Sequence, residues 1–303
     1  MLGIIMMLGF CAVVPLSDAI AKLLGGTVSL VLLILARFVV QAGLLAPVVW
    51  WAGSSMTMTR RVFWLLSLRS FLHCTAMFAM FSALQYMPLA DTVAIAFVMP
   101  FIMLLLSWWF LNEEIGPRRI AACGVGFIGT LLVVQPSFAE VGAVALLPLV
   151  VALGFALFML VTRLISQEVD PMTMQVFGGV QVTVVLLPLM LIGNSLGWDG
   201  FSMNIPTARD GMLILVAGVL GSAAHLFMTM SLRYAPAATV APMQYLEIPF
   251  ATLVGWMVFG DLPNGLAALG IAITIGAGLY VIYREQVAGR RARAAARAAA
   301  GRV

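Results

Sequence analysis

Glu247 stands in the run APMQYLEIPFATLVGWMVF, between Pro242 and Pro249 and one helical turn after Gln244. A carboxylate among so many apolar side chains is costly, about 2.5–3.5 kcal/mol on insertion scales, and must meet a partner or a watery cavity. Prolines on both sides free backbone carbonyls, which membrane interiors tolerate only against protein or water. Glu247 is thus placed to bind a substrate ammonium or to carry a proton; the plainer alternative is a protonated carboxyl bonded to a neighbour. Other apolar runs carry polar pairs four residues apart, a spacing that puts both on one helix face. Asp18 and Lys22 form either a wall of a substrate path or a local ion pair with Lys22 reaching for water. Arg37 and Gln41 form the next pair. Arg37 pairs with Asp18, or holds a substrate carboxylate in its guanidinium fork. Arg69 and His73 share a face with Met77; Arg69 is expected to snorkel, and His73, set deeper, relays protons or bonds across helices. His225 lies with Ser222 and Thr229 in a polar stripe.

The elements that position these groups follow from composition. The chain has 303 residues, 63% hydrophobic and 9% charged, where a soluble domain carries about 25% charged residues. Its mean hydropathy is +1.11. So few charges cannot coat a soluble surface, which excludes soluble enzymes, disulfide scaffolds and nucleic-acid readers. Cys11, Cys74 and Cys123 lie in apolar runs without metal-type spacing. Ten apolar runs are long enough to span a bilayer, at about 1–22, 28–51, 62–84, 90–111, 118–136, 141–163, 172–193, 210–232, 237–259 and 265–283. They do not alternate as barrel strands would. The expected fold is an all-α integral membrane bundle of ten transmembrane helices. The first run lacks a positive n-region and reads as a span rather than a signal peptide. Pro15 is a candidate break in it. With both termini in the cytoplasm, inner loops hold Arg60, Arg61, Arg118, Arg119, Arg163 and Arg233, and outer loops hold Lys22 and Arg209. That bias fits the positive-inside rule. Six arginines in 284–303 make the tail basic, suited to an anionic inner leaflet.

The sequence repeats itself. ALQYMPLADTVAIAFVMPFIMLLLSWWFLNEE, from Ala83, aligns without gaps with SLRYAPAATVAPMQYLEIPFATLVGWMVFGDL, from Ser231. The offset pairs Tyr86 with Tyr234, Pro88 with Pro236, Trp108 with Trp256 and Glu113 with Asp261; Glu247 falls opposite Met99. Spans three and four thus correspond to eight and nine, and each unit has five helices. An odd number inverts the second unit, an architecture of secondary transporters that places the site at mid-membrane between the halves. The expected units are 1–136, 141–284 and the tail 285–303. Asp91 is expected to cap span four, and Glu113 and Asp261 to cap or anchor the helices that follow them, with Arg118 and Arg119 near Glu113 and Glu114.

PLADTVAIAFVMPFIMLLLSWWFLNEEIGPRRIAACGVGFIGTLLVV and PAATVAPMQYLEIPFATLVGWMVFGDLPNGLAALGIAITIGAGLYVI resemble the two repeats of the EamA family of the drug/metabolite transporter superfamily. PLSDAIAKLL and ARFVVQ resemble its opening segments. The motifs are diffuse, so they speak to family more than to substrate; Asp261 stands where glutamate is usual. The resemblance implies a ten-helix secondary transporter of small metabolites, often amino acids moved outward, with a length and layout similar to exporters of the YddG type.

The expected function is export of small amphipathic metabolites, amino acids first among them, by alternating access. The alternative is a facilitator or importer of a nucleobase, polyamine or drug-like compound. No GxxxxGK[ST] motif provides for ATP, and no HExxH or clustered acids provide for an enzyme. Asp18, Arg37, His73, Met77, His225, Thr229, Gln244 and Glu247 are the expected substrate path. No cofactor or metal is expected. The expected partners are a small-molecule substrate and membrane lipid, with no nucleic acid; the glycines of spans five and ten offer a surface for close packing or a second copy. The expected location is a bacterial-type inner membrane with both termini cytoplasmic.

Overall fold

Short polar residues fix where several helices begin. Ser29, Thr59, Asp170 and Thr207 hold extended backbone just before a helix. Their side-chain oxygens accept from Leu32 N at 3.4 Å, Val62 N at 3.3 Å, Met172 N at 2.9 Å and Asp210 N at 3.1 Å. Each satisfies an N–H that the first helical turn leaves free. The computed structural model describes residues 2–261 except 54–57, 114–115, 199 and 204–205, and residues 265–280 except 267 and 278, with 283 and 287. The arginines of the basic tail lie outside the described residues.

The helices are α1 (Leu2–Leu24), α2 (Leu30–Trp51), α3 (Arg60–Leu84), α4 (Leu89–Ala96), α5 (Met99–Leu111), α6 (Pro117–Val141), α7 (Leu147–Ile165), α8 (Pro171–Ser195), α9 (Ala208–Tyr234), α10 (Ala237–Val240), α11 (Glu247–Phe259) and α12 (Ala268–Ala277). No strand occurs among the described residues. Seven segments there are long and apolar enough to cross a membrane: α1, α2, α3, α4 with α5, Gly142–Ile165, α8 and α9. The ten expected spans are not all of one kind. Those at 90–111 and 237–259 are broken, and the expected fifth and tenth hold shorter apolar helices, Ile120–Gly129 and Ala268–Ala277.

The breaks are placed alike. α4 stops at Ala96 and α5 starts at Met99, with Pro100 in its first turn. α10 stops at Val240, a 3-10 segment covers Ala241–Leu246, and α11 starts at Glu247. Met99 and Glu247 are the very positions that the repeat pairs. Proline lacks the N–H that would extend the preceding turn, so it favours a fresh start. Pro15 behaves otherwise: α1 runs through it unbroken. Close packing on α9 keeps α1 in one piece, from Gly3 against Ala235 to Ser17, whose hydroxyl donates to Ala217 O at 3.1 Å. Asp91 is not the cap of α4. Pro88 holds that position, and Asp91 lies in the first turn, where a negative charge suits the helix dipole.

α1 packs chiefly on α9, α3 on α7 and α2 on α8. Exchanging the two sequence repeats maps this set of pairs onto itself. Gly129 approaches Gly270 and Thr274, so a glycine of the fifth segment serves packing on the tenth within the same chain. Outside, Trp50, Trp51, Trp64, Trp108 and Trp109 are exposed at the ends of α2, α3 and α5, a placement typical of the aromatic belt at a bilayer interface.

Candidate functional site

The polar side chains of α1, α2, α3, α9 and α11 meet inside the bundle. Asp18, Arg37, His73, Met77, His225 and Glu247 line one cavity of about 70 Å³, room for about five waters. Phe10, Phe81, Phe97, Phe155, Met80 and Met99 supply its apolar walls. Phe97 and Tyr245, paired by the repeat, come together across the two breaks with ring centroids 5.6 Å apart.

The carboxyls of Asp18 and Glu247 are buried, at 5% and 7% exposure, and neither has a hydrogen-bond or ion-pair partner among the described residues. The expected Asp18–Arg37 pair does not form. Arg37 Nη1 donates instead to Ser17 Oγ at 3.1 Å, one residue further round α1, and its guanidinium lies 5.8 Å from the Phe81 ring centre. Gly221 makes this possible, since a Cβ there would fall 2.5 Å from the guanidinium carbon. Nor does Lys22 pair with Asp18. It turns outward and donates to Met87 O at 3.1 Å.

Behind the cavity His73 Nε2 lies 3.2 Å from His225 Nε2. Phe38 and Phe158 flank the His73 ring, at 5.2 and 4.7 Å between centroids. Arg69 does not snorkel. It is 1% exposed, donates to Thr162 Oγ1 at 2.9 Å and Thr229 Oγ1 at 3.2 Å, and sits 4.5 Å over the Phe158 ring. Thr229 therefore belongs to this inner network and is not among the residues lining the cavity. Gln175 joins it, donating to Thr229 Oγ1 at 3.1 Å and receiving Gln41 Nε2 on its own carbonyls. Gln244 also lies off the cavity, fully buried, its Nε2 3.0 Å from Met159 Sδ. Sequence reasoning singled out Arg69 but sent it to the interface, and it missed Gln175 and Ser17. The Arg69–His73 spacing gave a signal for the first; nothing singled out the others.

Two charged latches stand at opposite ends of the bundle. At one end Glu113, just past α5, accepts from Arg163 Nε at 3.2 Å and from the N–H groups of Ala237 and Ala238 at 3.2 and 2.9 Å. Arg163 also donates to Leu232 O at 2.7 Å. Glu113 thus caps α10, not the helix that follows it; Glu114 and the side chains of Arg118 and Arg119 lie outside the described residues. At the other end Lys22 Nζ is 3.6 Å from Asp261 Oδ2, just past α11, and 4.7 Å from the Phe259 ring centre. Lys22 and Arg163 each stand two residues before the end of their helix. The Glu113 latch is the tighter, with side chains 13% and 22% exposed for Glu113 and Arg163 against 40% for Asp261.

A bundle of apolar helices closed around a polar cavity, with helices broken beside it, defines a membrane transport protein. The sequence profile of the EamA-like transporter family matches residues 1–135 and 142–284, and the chain belongs to that family. A relative named riboflavin transporter, from Rhizobium johnstonii, is 33% identical over 67% of this chain; the match spans 65% of the relative's length. An S-adenosylmethionine uptake transporter from Rickettsia felis is 26% identical over 90% of this chain and 89% of its own. A pseudopaline exporter from Pseudomonas aeruginosa is 29% identical over 63% of this chain and 64% of its own. These names include both uptake and export and no amino-acid exporter. A crystal structure 17% identical to this chain shares its fold, with a TM-score of 0.71 over 91% of this chain and 94% of the other.

Proposed function

We propose that this chain is a secondary carrier of a small amphipathic metabolite, and that the metabolite sits in the cavity between Asp18, Arg37, His73, His225 and Glu247. The observation that carries the reading is the convergence of these five ionisable side chains, from both halves of the sequence, on one cavity otherwise walled by phenylalanine, methionine, valine and alanine. Aromatic walls hold a ring by stacking, and methionine adapts to its outline. That lining suits a vitamin- or nucleoside-like solute better than a small aliphatic amino acid. The relatives named for riboflavin and S-adenosylmethionine support that class; direction stays open between uptake and export.

A cavity of about 70 Å³ does not hold such a solute, so the site opens to load. Two five-helix units, 1–136 and 141–284, rock against each other, ten spans in all. The latches close the two ends in turn: Glu113–Arg163 at the cytoplasmic end and Lys22–Asp261 at the outer end, by the positive-inside bias of the loops.

Counterflow in liposomes carrying the purified protein tests this. Labelled riboflavin, S-adenosylmethionine, threonine, methionine and phenylalanine are followed separately. The expected result is saturable exchange of at least one of the two ring-bearing solutes, faster than that of the amino acids. No saturable exchange of any of the five, by protein shown to be folded, overturns the carrier reading.

A further inference from the structure

Acidic side chains outnumber guanidiniums around the cavity. Asp18 and Glu247 bring two carboxyls, and Arg37 brings one guanidinium. The two histidines bond to each other and, among the described residues, to neither carboxyl. Their nitrogens share one hydrogen bond at 3.2 Å, which needs an unprotonated acceptor on one ring. The pair stands beside Arg37, which lines the same cavity, and Arg69, one turn from His73. Arg69 is committed to hydroxyl and carbonyl acceptors away from the cavity.

Each carboxyl is more than nine-tenths buried, lines the cavity and lacks a hydrogen-bond or ion-pair partner among the described residues. The two halves are also unequal at their matching position. Where the second repeat starts its half-helix with Glu247, the first starts with Met99, and both line the cavity. One half thus brings an acid to the cavity there and the other a thioether. An onium ligand fits this pattern. Its positive centres, one more in number than any carboxylate it presents to Arg37, face Asp18 and Glu247, and its apolar part lies toward Met99 and Phe97. The phenylalanine faces add attraction for a weakly hydrated cation.

We propose that the cavity selects a metabolite of net single positive charge, such as a sulfonium or a substituted ammonium, with Asp18 and Glu247 as the residues that recognise the charge. This rests on the carrier reading above and names its substrate class.

The test compares two ligands of nearly the same shape. S-adenosylmethionine and S-adenosylhomocysteine differ by one S-methyl group and its positive charge. Binding to the full chain in nanodiscs is measured by calorimetry, with riboflavin as a neutral reference. S-adenosylmethionine is expected to bind at least about tenfold more tightly than S-adenosylhomocysteine. Glu247→Gln is expected to erase that preference, and Asp18→Asn to weaken it, the second variant standing in if the first does not fold. Equal affinity for the two ligands overturns the inference and shows the carboxyls acting in neutral form, as does a preference unchanged in both variants. Counterflow separates the two readings. In the unaltered chain, exchange of riboflavin with no preference for S-adenosylmethionine over S-adenosylhomocysteine keeps the carrier and removes the cation selectivity, whereas exchange of no probe removes the carrier and the selectivity with it.

Discussion

Arg37 shows what one residue gains from its surroundings and what a sequence hides of them. Its isolation in an apolar run marked it, as it marked Asp18, His73, His225 and Glu247, because intramembrane charge is rare without a purpose. That they share one cavity could not be seen, since convergence depends on how α1, α2, α3, α9 and α11 cross. Arg69 was misread for a reason of distance. It lies nine residues into α3, about 14 Å along the axis, too far for a side chain to regain the interface, so it bonds inward to Thr162 and Thr229. Arg37 keeps its place because position 221 has no side chain. Gly221→Ala drives a methyl into the guanidinium, and packed interiors do not absorb that freely. The expected outcome is normal folded yield with counterflow lowered by about tenfold or more, the scale of one lost charge-assisted contact. Val40, packed on the neighbouring Gly218, gives a control: Val40→Ala trims apolar contact there and is expected to leave transport within about twofold, since it removes no polar contact.

At the scale of elements, the beginnings of helices were more legible than their interruptions. The paired Tyr and Pro of the repeat stand just before α4 and α10, and Pro242 and Pro249 marked a weak point in the second repeat. The sequence pattern of 90–111 is nonetheless continuous in apolar character, so the break at Phe97–Val98 stayed hidden. Pro15 misled in the opposite sense because α9 supports α1 on both sides of it. The acids past α5 and α11 were recognised as structural, but their partners come from distant segments and no local rule finds them. Glu113 binds an arginine and caps a four-residue helix at once. Removing its charge costs a cap and a partly buried ion pair, about 2–3 kcal/mol together. Asp261, more exposed and 3.6 Å from its lysine, contributes less than about 1 kcal/mol. Thermal unfolding in detergent is expected to drop by about 5 °C for Glu113→Gln and by less than about 2 °C for Asp261→Asn. Equal shifts show that the two latches are equally engaged.

The whole molecule was legible as a repeat and illegible as a state. Register alone linked Glu113 to Asp261 and Met99 to Glu247, and the pairing of α1 with α9, α3 with α7 and α2 with α8 has the symmetry that such a repeat requires. Which end is shut is a matter of contact distances, and here the Glu113 end is held more closely. Two latches at opposite ends of one rocking body bias it in opposite directions, so weakening both returns the balance toward its start. Cys11 reports on this. It is fully buried in α1, with its thiol 3.8 Å from Met243 O beside the break of the second repeat. In a background where Cys74 and Cys123 are replaced by alanine, Glu113→Gln is expected to speed labelling of Cys11 by a membrane-permeant maleimide about fivefold or more, about 1 kcal/mol of shift toward the open end. Adding Lys22→Gln is expected to lower the rate again toward that of the parent, the sum of two opposite shifts on one equilibrium. If the second change leaves the faster rate untouched or raises it further, the two ends are not coupled and the helices breathe separately.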